Sequence, residues 1–138
     1  MSEAQRLGDE FLEHAKEYLE AAERLGKSKN FPFNPTYFCA LRSIELGLKA
    51  HLAHDGVTER QLSSKRLGHD LPALLKEIKD RGILNKTGLS ARDTIALARG
   101  SADYDKKRFE YPYLQFSTLP LAVWIDISHT FLANSAAS

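Results

Sequence analysis

Glu45 and Lys49 stand one helical turn apart in the segment Phe38 to Leu52, FCALRSIELGLKAHL, in the order that pairs a carboxylate with an ammonium on a helix surface. Exposed, such a pair is worth about 0.3–0.5 kcal/mol. Enclosed, the carboxylate needs further donors, because burying it alone costs several kcal/mol. His69 and Asp70, and farther on Tyr104, Arg108 and Tyr111, are the polar residues best placed to join them. An imidazole beside a carboxylate suits general acid–base work, and a guanidinium or ammonium suits phosphate or carboxylate binding. The group therefore has two open roles: a satisfied polar network that fixes helix register, or a pocket for an anion or nucleotide. A second set is basic. Lys106, Lys107 and Arg108 precede Phe109, Tyr111, Tyr113 and Phe116, the mixture of cations and rings that contacts single-stranded RNA, and Lys65 with Arg66 extends it if the fold brings the segments together. The same run also reads as a solvated helix end with its aromatics on the core.

Other catalytic signatures are absent. The chain has no phosphate-cradling Gly-rich loop, no His pair with Glu at zinc-protease spacing and no Gly-x-Ser-x-Gly turn. His51 and His54 share a helix face but lack local cysteine or acidic partners, and Ser43 and Cys39 have no evident base, so neither a metal nor a nucleophile is expected. No cofactor is implied.

The elements that position these residues are helical. Tyr37, Leu41, Ile44, Leu48 and Leu52 form one apolar stripe, and Glu45 projects from its flank. The spacing of Leu7, Phe11, Ala15, Tyr18, Ala22 and Leu25 predicts an earlier helix from Ser2 to Leu25. Between them, the prolines of the Lys27–Pro35 segment make a loop, with Asn34 as cap and Pro35 as first residue of the central helix, which Asp55-Gly56 stops. Thr58-Glu59 could open a short helix before a solvated stretch at Ser63–Arg66. Asp70 caps a third helix with Pro72 in its first turn and Leu71, Leu74, Leu75 and Ile78 buried, ending at Gly82. After a linker, Ser90 and Asp93 form a capping pair for a fourth helix reaching Phe109. Pro120 begins a last helix, apolar on two sides, which fits deep burial or a subunit contact through Trp124 and Ile127. No alternating strand pattern and no repeat persists. The expectation is an all-α, up-and-down bundle of four to five helices, one domain over residues 1–138.

Composition narrows the class. With 138 residues, 43% hydrophobic and 27% charged, the chain can bury a sizeable core, and a net charge of +1 argues against a surface dedicated to coating DNA. A single cysteine, no apolar N-terminal run and no stretch long enough to span a bilayer lead to the expectation of a cytoplasmic protein without a membrane segment.

Taken in order, Ser43-Ile44-Glu45-Leu46-Gly47-Leu48-Lys49-Ala50, then Gly68-His69-Asp70-Leu71, then Tyr104 and Arg108 leading to Tyr111-Pro112, resemble the HEPN superfamily of helical domains over about Phe38 to Tyr113. The resemblance implies a HEPN-like helical bundle, commonly a homodimer, associated with nucleotide or RNA binding and with toxin–antitoxin and defence systems. Many members of the superfamily cleave RNA without a metal, using an Arg followed by a His with four to six residues between. Here His14 follows Arg6 with seven between, and His69 follows Arg66 with two and Arg60 with eight. His51, His54 and His129 stand more than six residues beyond any preceding arginine, so the pair is absent. Glu110, in place of an arginine, precedes Tyr111. The expectation is thus a non-catalytic HEPN-like binding or accessory module, a homodimer taking nucleotide, RNA or a partner protein. The alternatives are a ribonuclease or nucleotide-processing enzyme built on His69, Lys49 and Arg108, and a purely structural dimerisation module.

Overall fold

A computed structural model describes residues 1–100 and 120–135. Among the described residues the chain is all-helical: α1 (Glu3–Gly26), α2 (Phe33–His54), α3 (Glu59–Leu62), α4 (Leu71–Asp80), α5 (Leu84–Thr87), α6 (Ala91–Gly100) and α7 (Leu121–Ser135). Five are longer helices and two, α3 and α5, are single turns, so the expected all-α bundle is what forms.

The bundle is built around α2. Residues 43–53 are buried without interruption, polar Ser43, Glu45, Lys49 and His51 included. A helix can be covered on every side only if neighbours surround it, and α1, α4 and α7 all pack on α2. α1 runs antiparallel to it. Asp9 near the start of α1 meets His54 at the end of α2, and the Ser43 hydroxyl donates to the Ala15 carbonyl at 2.8 Å. α7 follows α2 closely enough that a Cβ on Gly47 would lie 3.2 Å from the Cβ of Phe131, so the missing side chain sets the approach of the two helices. One contiguous apolar cluster extends from Leu7 of α1 to Phe131 of α7.

Several local expectations hold and others are corrected. Asp70 accepts from the Ala73 N–H at 3.0 Å, and the Ser90–Asp93 pair is reciprocal at 3.0 and 3.1 Å. Thr58 and Gln61 close a capping box that opens α3. The buried face of α1 carries Leu7, Gly8, Leu12, Ala15, Leu19 and Ala22, so Phe11 and Tyr18 lie on its half-buried flanks instead of at its centre. Small and aliphatic residues let α1 lie close to α2, whereas two rings at the seam would hold the helices apart. α2 begins at Phe33, not Pro35, and Asn34 is not its cap; Pro32 occupies that position without a side-chain bond. The first-turn N–H groups have no intrahelical acceptor, so Pro35 is tolerated inside that turn. Part of the linker after Gly82 folds as α5, closed by Gly88 at φ +76°. Trp124 and Ile127 are buried within this one chain, so of the two roles open to the last helix they take deep burial. The segment from Ser101 to Phe109, expected to continue the fourth helix, lies outside the described residues.

Candidate functional site: a buried carboxylate with a surface imidazole

Glu45 is fully buried midway along α2. Its Oε2 accepts from Lys49 Nζ at 3.0 Å and from Arg42 Nη1 at 2.9 Å, and His69 Nδ1 lies 3.0 Å from Oε1 and 3.1 Å from Oε2. The two helical donors follow from spacing: Arg42 is three residues before Glu45 and Lys49 four after, so both share its face. His69 arrives from another element. It sits on the turn before α4, fixed by buried Leu67 and Leu71 on either side. Gly68, at φ +30°, donates its N–H to the Ser64 carbonyl at 2.8 Å, and the Asp70 N–H donates to the Leu67 carbonyl at 3.0 Å. The turn thereby delivers one imidazole to one carboxylate.

Exposure grades across the group. The Lys49 side chain is 9% exposed, that of Arg42 26% and that of His69 53%. The guanidinium carbon of Arg42 lies 5.9 Å from the ring centre of Tyr18, so α1 supplies a flat face that helps orient the fork. Arg42 Nη1 is also 3.0 Å from His69 Nδ1. A guanidinium only donates and a carboxylate only accepts, so the geometry is met when Nδ1 carries a proton directed at Glu45 and the Nη1 hydrogen turns to Oε2. Nε2 is then the imidazole nitrogen remaining to face outward. The arrangement is closed at its base and open at its rim: Glu45 and Lys49 form the floor, while Arg42 and His69 reach solvent.

Of the residues expected to converge, Glu45, Lys49 and His69 do. Asp70 does not join them; its carboxylate is spent on the α4 cap. Arg66 pairs with Glu77 at 3.0 Å, a carboxylate that also receives Arg81, so Arg66 is tied to α4, while Lys65 is exposed. Tyr104, Lys106, Lys107, Arg108 and Tyr111 lie outside the described residues. Arg42 is the member that the sequence reading missed. Its signal was present, since an arginine three residues before a buried glutamate lies on that glutamate's face.

The two histidines farther along α2 are used separately. His54 Nε2 lies 3.0 Å from Asp9, and the ring of His51 packs 5.8 Å from that of Phe131. Burial pushes His51 down to about 4, against a hydrogen bond with the Phe131 backbone that favours its charged form. Among the described residues no three His, Cys, Asp or Glu side chains gather as a metal-binding set, and no helix is long and apolar enough to cross a membrane. No protein family, curated protein or solved structure matches the chain.

Proposed function

We propose that this chain is a non-catalytic, HEPN-like binding module whose Arg42–His69 rim takes an anionic group of a nucleotide or RNA. The observation that carries the reading is the grading of the cluster. Glu45 is fully buried and already accepts from three donors, which makes it an anchor and a poor proton shuttle. The same bonds hold a guanidinium and an imidazole at the surface, two nitrogen-rich groups suited to phosphate oxygens. The ordered motif set without a nuclease Arg/His pair supports an accessory role, in a homodimer or beside a partner protein, of the kind found in toxin–antitoxin and defence systems. Fluorescence anisotropy with labelled single-stranded RNA, and calorimetry with nucleotides, test it. Saturable binding that weakens in His69→Ala and Arg42→Ala is expected; no binding of either ligand class by the intact chain contradicts it.

One observation favours an enzymatic second reading. Nδ1 of His69 on a buried carboxylate, with its side chain half-exposed, is also how a general base is oriented; of the two cations this reading assigns to phosphate charge, Lys49 is bonded to Glu45 at 3.0 Å and Arg108 lies outside the described residues. It requires RNA or nucleotide turnover by the purified chain that His69→Ala abolishes while leaving the melting temperature within a few degrees.

A further inference from the structure

A cleft separate from the Glu45 cluster opens where α2 ends. It has a volume of about 560 Å³, within the range of roughly 300–1,000 Å³ typical of small-molecule sites. Three elements line it: His51 and His54 from α2, Ile83, Asn85 and Lys86 from the α5 turn, and Asn134 from α7. We propose that this cleft binds a small organic oxyanion, a carboxylate or phosphate ester carried on a flat apolar body, with Lys86 as its counter-ion.

The charges of the lining point to an anion. Asp55 also borders the cleft, but its carboxylate receives Arg81 Nη1 at 3.1 Å and is answered. Lys86 is exposed and has no carboxylate partner among the described residues. At the end of α2 the N–H groups of Asp55, Gly56 and Val57 donate to the carbonyls of His51, Leu52 and Ala53. Among the described residues that line the cleft, the formal charge left to a ligand is therefore the ammonium of Lys86.

The remaining lining suits a flat body with a polar edge. Ile83 and the buried His51 ring, which packs at a tilt against Phe131, supply apolar and planar surface. Asn134 is held in place: its Nδ2 donates to the Thr130 carbonyl at 2.9 Å, and its amide lies so close to Gly88 that a Cβ there would fall 2.2 Å from Nδ2. A fixed amide on one wall and the exposed amide of Asn85 and ammonium of Lys86 on the other can bracket an oxyanion. None of Arg42, Glu45, Lys49 or His69 lines this cleft, so its occupancy is independent of the proposed rim.

The test is an NMR titration of the intact chain with benzoate and with phenyl phosphate, using benzamide as the uncharged control. Saturable shifts at Asn85, Lys86 and Asn134 are expected with at least one anion. Saturation by benzoate alone identifies a carboxylate site, and by phenyl phosphate alone a phosphate site. Lys86→Ala should weaken binding at least about tenfold and Lys86→Arg should retain it, while His69→Ala should leave it unchanged. Equal binding of benzamide, undiminished binding by a folded Lys86→Ala protein, or no saturation by either anion up to about 10 mM would overturn the proposal.

Discussion

At the scale of single residues, the governing fact is a carboxylate with no contact with water. Glu45 is tolerable in the interior because, among the described residues, three donors reach it, and removing it strands their positive charge. Glu45→Ala is therefore expected to cost about 3–5 kcal/mol, most of it from leaving buried Lys49 without its anion, as measured by urea unfolding. His69→Ala removes a half-exposed donor and should cost only about 1 kcal/mol in the same measurement, which makes it a clean probe of function. His51 is the opposite case, a buried imidazole kept neutral. Its folded-state value of about 4 lies below the ordinary 6.5, so the unfolded chain takes up the proton first. Its contribution to stability is full above about pH 6.5, falls as the pH drops towards 4 and is gone below that. The difference is on the order of 3 kcal/mol. Unfolding curves from pH 7 to 4 should show that His51→Gln loses less stability over this interval than the parent chain. The legible part of this scale was the Glu45–Lys49 pair and the reach of His69, because helical spacing and a capping turn both leave sequence marks. Asp70 shows the limit: a residue next to the candidate histidine can be engaged in its own helix cap.

At the scale of elements, the helices were legible wherever apolar spacing and caps coincided, as in α4 with Asp70 and Leu71, Leu74, Leu75 and Ile78. The start of α2 was not, because prolines at 32 and 35 read as loop, yet a proline is harmless in a first turn whose N–H groups have no intrahelical acceptor. The face of α1 was displaced for a different reason. Periodicity alone cannot distinguish a seam centred on Leu12 and Leu19 from one centred on Phe11 and Tyr18; the close approach of α2 decides it. Two outcomes follow from this packing. Trp124→Ala, in a helix whose indole is fully buried, should lower stability by about 3–5 kcal/mol whatever the protein concentration, the mark of a core residue. Gly47→Ala should cost about 1–3 kcal/mol, since its Cβ would press on Phe131 at 3.2 Å; thermal melts of both variants check this.

At the scale of the whole molecule, one buried helix carries both polar features, the Glu45 cluster near its middle and the His51–His54 cleft at its end. The sequence announced the all-α class through uninterrupted 3.6-residue periodicity. It did not announce the cleft, whose lining comes from α2, α5 and α7 and has no local motif. On the proposed function, a saturated internal carboxylate holds Arg42 and His69 at the surface to bind, and not to cleave, an anionic ligand. The most direct measurement titrates labelled single-stranded RNA with the intact chain and with His69→Ala, and follows the length of the RNA in the same samples. Saturable binding is expected, at least about tenfold weaker in a His69→Ala protein that melts within a few degrees of the parent, with RNA of unchanged length. Affinity untouched by His69→Ala, or RNA cleaved by the parent and spared by the variant, would contradict it.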